Sequence, residues 1–225
     1  MNARLLGLFS GFPSRRFPRS IAQRLQEELH TRDHLVLISA WPSEHDRNDS
    51  DAAGMHGMFA EYDMSFKQYT VIDNRTEPAN AQQLIRDASC IFLMGGHATQ
   101  QYALICEKGI REELRRSTAV ILGVSAGSSN MARRALDVWE SHVPYEGLGL
   151  TDITIKAHVQ PEDPKLLQTL VQISIGHRLP ICAMEDNSAI FVKNGHASFL
   201  GNIHWVNEGK VSPLSMEILE KLIAG

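Results

Sequence analysis

Thr118-Ala119-Val120-Ile121-Leu122, followed at once by Gly123-Val124-Ser125-Ala126-Gly127, is the stretch on which the fold of this chain turns. The first five residues are an apolar run of strand length. The next five set a serine between glycines where a buried strand bends sharply into a helix, a geometry that exposes the hydroxyl and surrounds it with free backbone N–H groups. Glycine is required on both sides because the turn brings flanking backbone close together. A plain strand-to-helix loop rich in Gly, Ala and Ser has the same composition, so these residues alone divide evenly between a nucleophile elbow and an ordinary connection.

Working outward, short apolar runs alternate with helical patterns, the signal for a parallel sheet covered by helices. Strands are expected at Arg4 to Phe9, His34 to Ala40, Gln68 to Ile72, Cys90 to Met94, Thr118 to Leu122, Ile153 to Ala157 and Ile181 to Met184. Helices are expected at Ser20 to His30, Pro78 to Ala88, Thr99 to Arg116, Ala126 to Ala135 and Pro164 to Gly176. Near the end, Ala189 to Lys193, Asn194-Gly195 and His196 to Leu200 read as a β-hairpin with a primed turn, and Pro213 to Ala224 as a closing helix. The expected class is α/β, a three-layer open, mostly parallel sheet with helices on both faces and a C-terminal β-hairpin. The polar stretch Ser43 to Gly57 reads as a solvated loop. It holds His45, Asp46, Asp49, Asp51 and His56, but their spacing matches neither a calcium loop nor a His-x-x-x-His site, so no metal is expected.

At 225 residues the chain has the length of one α/β domain spanning 1–225. A formal charge of -4 argues against nucleic acid as a partner. Cys90, Cys106 and Cys182 lie far apart without Cys-x-x-Cys spacing, and Cys90 and Cys182 fall in apolar runs, the pattern of small core residues in a reducing compartment. Leu5 to Phe9 is too short for a signal-peptide core, and no run reaches membrane-spanning length. The expected location is cytoplasmic, with no membrane partner. Oligomeric state is not readable from the chain, and a homodimer is kept open.

A serine nucleophile needs a base, an acid to orient that base, and donors for the oxyanion. Reactive groups in an open parallel sheet gather at the carboxyl ends of strands, which favours His158, directly after Ile153 to Ala157, among ten histidines. His97 lies in a glycine-rich turn and His177 follows a helix. The run Ile181 to Met184 leads straight into Glu185-Asp186, and successive residues leaving a strand point to opposite sides, so one carboxylate faces the site. Met94-Gly95-Gly96-His97-Ala98-Thr99-Gln100 repeats the strand, glycine turn and helix scheme, supplying backbone N–H groups at Gly95 and Gly96 beside that of Ala126. A phosphate-cradling loop is the rival reading of Gly95-Gly96, but both Gly-x-Gly-x-x-Gly and Gly-Lys-Ser/Thr are absent.

The order Gly-Gly loop, Gly-x-Ser-x-Gly, strand-end His and strand-end acid resembles the peptidase E group of serine peptidases, peptidase family S51, which includes α-aspartyl dipeptidase and the more distant cyanophycinase. The resemblance spans about Ile91 to Lys210 and implies a class I glutamine amidotransferase-like, flavodoxin-like fold. Gly95-Gly96-His97 looks like the family's Gly-Gly-Asn-Thr-containing loop, with His97 in place of Asn. Gly123 to Ser128 looks like its elbow, His158 falls at the position of its base, and Met184 to Ile190 looks like its acid segment. There the family has Pro before one acidic residue, which lines Glu185 up with the Pro and Asp186 with the acid. The resemblance therefore implies amide hydrolysis through an acyl-enzyme, with Ser125 as nucleophile, His158 as base and Asp186 as orienting acid, Glu185 being the alternative, and no cofactor. Glutamine amidotransferases share the fold but use Cys at the elbow and His-x-Glu, where this chain has Ser125 and His158-Val159-Gln160.

The implied substrate is a short peptide with an amino-terminal aspartate, which calls for a cation. Arg15 and Arg16, in the loop after the first strand, and Arg133 and Arg134, after the elbow, are the candidates, with His97 and Gln100 as further substrate contacts. Competing classes are a catalytically silent binding protein on the same scaffold, for which His97 is the hint, a cyanophycinase-like hydrolase of another amide, and a carboxylesterase. A lipase-type fold orders its triad Ser, acid, His, whereas here His precedes the acid.

Overall fold

The structure is a computed structural model and describes residues 4–137 and 141–224. Strands and helices alternate through the first part: β1 (Leu6–Phe9), α1 (Arg19–Gln26), β2 (His34–Ile38), α2 (His45–Ala60), β3 (Gln68–Ile72), α3 (Pro78–Asp87), β4 (Cys90–Leu93), α4 (Ala98–Glu107), α5 (Arg111–Arg116), β5 (Val120–Val124) and α6 (Ala126–Met131). There follow β6 (Arg134–Ala135), β7 (Tyr145–Glu146), β8 (Ile155–Lys156), α7 (Pro164–His177), β9 (Ile181–Met184), β10 (Ala189–Lys193), β11 (His196–Leu200), β12 (Ile203–Asn207), β13 (Lys210–Pro213) and α8 (Met216–Ala224).

The main sheet has the order β11-β10-β1-β5-β4-β2-β3, with β1, β5, β4, β2 and β3 parallel and the β10–β11 hairpin added antiparallel at β1. Its central strands are buried on both faces, which is why they read as continuous apolar runs. The period-two alternation then sorts side chains into two layers. Leu8, Ile38, Leu93 and Ile121 meet Ile85, Ile105, Leu114 and Leu219 from α3, α4, α5 and α8. Phe9, Leu37, Phe92 and Leu122 meet Ile21, Leu25 and Phe59 from α1 and α2. Full burial of each such phenylalanine contributes about 1.5–3 kcal/mol. Cys90 and Cys182 are both buried, and burial pushes the Cys182 thiol up to about 12. Asn194 and Gly195 both have positive φ, 56° and 72°, as the primed turn requires.

A second sheet, β13-β12-β9-β8, takes the strands expected at Ile153 and Ile181 out of the main sheet. Within it β8 and β9 run parallel, so their carboxyl ends emerge side by side. Helix α7 covers this sheet through Leu170 and Ile173 against Ile181 and Val206.

Three expectations need correction. Ser43 to Gly57 is not a loop: most of it lies in α2, whose buried side consists of Asn48, Ala52, Met58 and Phe59. With so few apolar residues and two glycines its helical period is hidden, and tertiary contacts decide. The helix expected over Thr99 to Arg116 is two helices, broken where Gly109 takes a φ of 64°. The helix after the elbow stops at Met131 rather than Ala135, the chain passing into β6. Among the described residues no helix is long and apolar enough to cross a membrane.

Candidate active site

Strand β5 ends at Val124, and Ser125 follows with φ 52° and ψ −111°, a strained conformation that the flanking packing holds in place. A Cβ on Gly123 would lie 2.7 Å from the carbonyl carbon of Gly127, and one on Gly127 would strike the Leu93 backbone, so the elbow closes only with glycine at both places. The Ser125 N–H donates to the Phe9 carbonyl at 2.9 Å. Buried Ser128 accepts the Phe9 N–H at 2.9 Å and donates to the Gly123 carbonyl at 2.6 Å, pinning the first turn of α6 to β1.

His158 leaves β8 with a φ of 58°. Its N–H donates to Ser10 Oγ at 2.8 Å, and that hydroxyl donates to the Met184 carbonyl at 3.0 Å, so a buried serine just after β1 joins the ends of β8 and β9. The imidazole reaches Ser125 Oγ through Nε2 at 2.9 Å and Asp186 Oδ1 through Nδ1 at 2.7 Å. The tautomer with the proton on Nδ1 satisfies both bonds and leaves Nε2 able to accept a proton. Asp186 stands in a tight turn in which the Asn187 N–H donates to the Gly11 carbonyl at 2.8 Å and Ser188 Oγ to the Glu185 carbonyl at 2.5 Å.

Glu185 turns the other way. It accepts from Asn202 at 3.0 Å and His204 at 2.7 Å, and these bonds hold its carboxyl below the usual range. The two adjacent carboxylates thus have separate partners, as the opposite-facing geometry requires. Gly11 carries no catalytic atom, yet a Cβ there would come within 2.5 Å of Asp186 Oδ1 and 2.8 Å of His158 Nδ1. Sequence reading missed Gly11 and Ser10; the only signal was their place just after the first strand, at the sheet edge that also carries the elbow.

Gly95 lies against the elbow, a Cβ on it falling 3.7 Å from that of Ser125, and Ala126 heads α6. Gly96, with a φ of 139°, backs onto the indole of Trp41. The His97 ring meets Trp41 edge-on at 4.2 Å. Gln100 is exposed on α4, and its neighbour Gln101 does the structural work, donating to the Ile38 and Met94 carbonyls at 2.9 and 3.0 Å and accepting from Asn130 at 3.0 Å. That network ties the glycine loop to α6.

The four arginines separate. Arg16 pairs with Glu61 at 2.8 Å, Arg133 with Asp152 at 2.8 Å, and Arg134 donates to the His177 carbonyl at 3.1 Å. Arg15 alone of the four lines a cavity of about 220 Å³ that also touches Gly95 and Val124. One side of that cavity is α2, the segment expected to be a loop. Lys156, two residues before His158, is buried and donates to the Ala157 carbonyl at 2.5 Å. Burial lowers its pKa, against the opposing pull of Asp137 and Asp186.

Such an arrangement can carry nucleophilic acyl transfer: a hydroxyl hydrogen-bonded to an imidazole, an imidazole bonded to a carboxylate, and backbone amides beside the hydroxyl. A family model described as peptidase family S51 matches residues 21–200. A peptidase from an acI-B1 Actinobacterium has the same fold, with a TM-score of 0.73 at 14% identity over 95% of each chain. A candidate peptidase E protein from Listeria monocytogenes EGD-e gives 0.64 at 13% identity, over 88% of this chain and 98% of that one. No curated protein matches the sequence.

Proposed function

The chain belongs to peptidase family S51, and on that premise we propose that it is a serine peptidase that hydrolyses short peptides, dipeptides with amino-terminal aspartate above all. Ser125 Oγ attacks the scissile carbonyl while His158 Nε2 takes its proton, and Asp186 steadies the imidazolium that forms. The Ala126 amide and the Gly95 and Gly96 amides receive the oxyanion. Collapse breaks the C–N bond, the amine leaves with the proton from His158, and an acyl-enzyme remains. Water then attacks the ester with His158 again as base, releasing the acid and restoring Ser125.

The observation that carries this reading is the unbroken relay of Ser125 Oγ, His158 and Asp186, at 2.9 and 2.7 Å, standing on a strand-to-helix elbow. An Asp-Xaa dipeptide carries two carboxylates, and Arg15 is the guanidinium in the cavity beside the elbow. The test is fluorophosphonate labelling with peptide mapping, together with hydrolysis of Asp-Leu and Ala-Leu. A label on Ser125, and cleavage of Asp-Leu in preference to Ala-Leu, support the proposal. No label at Ser125 refutes the serine mechanism, and a label with no preference for Asp-Leu refutes the substrate.

A further inference from the structure

The cavity next to Ser125 has no part in the bond-making steps. At about 220 Å³ it has room for about seven water molecules at ~30 Å³ each, well beyond a carboxymethyl side chain. Three thioethers form part of its apolar wall: Met55, Met58 and Met94 line it, the last two almost fully buried, and Ser50 lines it as well. Val124 and Gly95 extend it to the residue preceding the nucleophile and to the glycine loop. Gly54, on the same face of α2 one turn before Met58, borders it too, and a Cβ there would meet nothing within 4 Å.

Two charges border this apolar space. Asp51 is engaged by Arg47 at 3.5 Å, whereas Arg15 is exposed and its side chain has no partner among the described residues. Thioethers are flexible and polarizable and accommodate unbranched apolar groups, but they offer a carboxylate no hydrogen bond. An apolar hole bordered by one unpaired guanidinium suits a residue that presents an apolar side chain and a carboxylate on adjoining carbons. In a dipeptide only the carboxyl-terminal residue does so.

We propose that this cavity binds the residue on the leaving side of the scissile bond, with a flexible apolar side chain such as that of methionine or leucine among Met55, Met58 and Met94 and its α-carboxylate against Arg15. When the C–N bond breaks, that residue leaves as a free amino acid, its amine carrying the proton delivered by His158. The inference rests on the serine-peptidase reading and adds to it a preference for the residue on the leaving side, one with a flexible apolar side chain and a free α-carboxylate.

The test compares kcat/KM of the full chain on Asp-Met, Asp-Gly and Asp-Met-amide. Wild type should favour Asp-Met over Asp-Gly by about 10-fold or more, and amidation should cost about 10- to 100-fold. Gly54→Leu, a favourable change on an exposed helix face, places a side chain in the cavity and should bring the Met-to-Gly ratio close to one. Arg15→Ala should abolish the acid-to-amide ratio while the Met-to-Gly ratio persists. Ratios that are flat in wild type, or that neither variant moves, overturn the subsite. Fluorophosphonate labelling of Ser125 runs alongside: if wild type does not label, the serine-peptidase reading itself has failed. Should wild type label but cleave none of the three, the same ratios are read from the peptide concentrations that protect Ser125 from the label, and absence of protection overturns the subsite.

Discussion

Gly11→Ala is a one-methyl change that should stop the enzyme without unfolding it. The added carbon would stand 2.5 Å from Asp186 Oδ1 and 2.8 Å from His158 Nδ1, against ordinary heavy-atom contacts of about 3.5–4.0 Å. The pair must therefore retreat by about 1 Å, and the 2.7 Å Nδ1 to Oδ1 bond and the 2.9 Å Nε2 to Oγ bond cannot both survive that movement. Misplacement by about 1 Å costs about 10²-fold, and losing the orienting acid costs up to about 10⁴-fold in serine hydrolases, so kcat/KM should fall by about 10²- to 10⁴-fold. Stability should change little. Overpacking a closed core costs about 1–3 kcal/mol, but the His158 and Asp186 side chains are 43% and 36% exposed and can swing towards solvent. The assay is turnover of Asp-Leu and the rate of fluorophosphonate labelling at Ser125, with a thermal melt as control. Turnover and labelling within about threefold of wild type, in a protein that melts normally, would refute the claim that this packed pair governs the chemistry.

Ser125→Ala should reduce hydrolysis to the residual rate left by binding and oxyanion donors, about 10³-fold over water, with an unchanged melt; near-wild-type activity sinks the serine mechanism. Asp186→Asn should lose far more kcat than Glu185→Gln, since Asp186 meets His158 while Glu185 meets His204; the reverse ranking in steady-state kinetics moves the triad to Glu185. For stability, Glu185 has a folded pKa held below its ordinary value of 4.5 by the Asn202 and His204 bonds. Its contribution is present above that value and is lost as pH falls through the folded one. The gap in thermal stability between wild type and Glu185→Gln should thus be full at pH 7 and close below about pH 4.5, and a gap that persists to acid pH would show that Glu185 acts by packing alone.

Much of the fold is readable in the chain because its signals are local and steric. Fully buried parallel strands must be apolar throughout, which exposes β1, β2, β4 and β5 as runs. Asn194-Gly195 announces its hairpin because both residues tolerate positive φ, whereas Glu208-Gly209, with φ of 50° and 82°, makes the β12–β13 turn without that signature. The glycines around Ser125 are equally local, each excluded from bearing a Cβ by backbone within the turn or the next strand. Helix α2 stayed hidden because its buried side is built from Asn48 and Ala52 as much as from Met58 and Phe59, and only the neighbours that cover those residues make it a helix.

By itself, then, the sequence determined that a serine would sit on an elbow in a layered α/β sheet with a histidine and an acidic pair leaving strands nearby. The family resemblance favours Asp186 over Glu185, but the direction each carboxylate takes is set by the tertiary structure. Glu185 and Asp186 are chemically alike and adjacent, and their directions depend on partners distant in sequence, Asn202 and His204 for one and His158, across the face of Gly11, for the other. The same holds for Arg15 and Arg16: Arg16 pairs with Glu61, just past the end of α2, and Arg15 lines the cavity beside the Ser125 elbow. Orientation at a chain exit is settled by long-range packing, and a one-dimensional pattern carries no record of it.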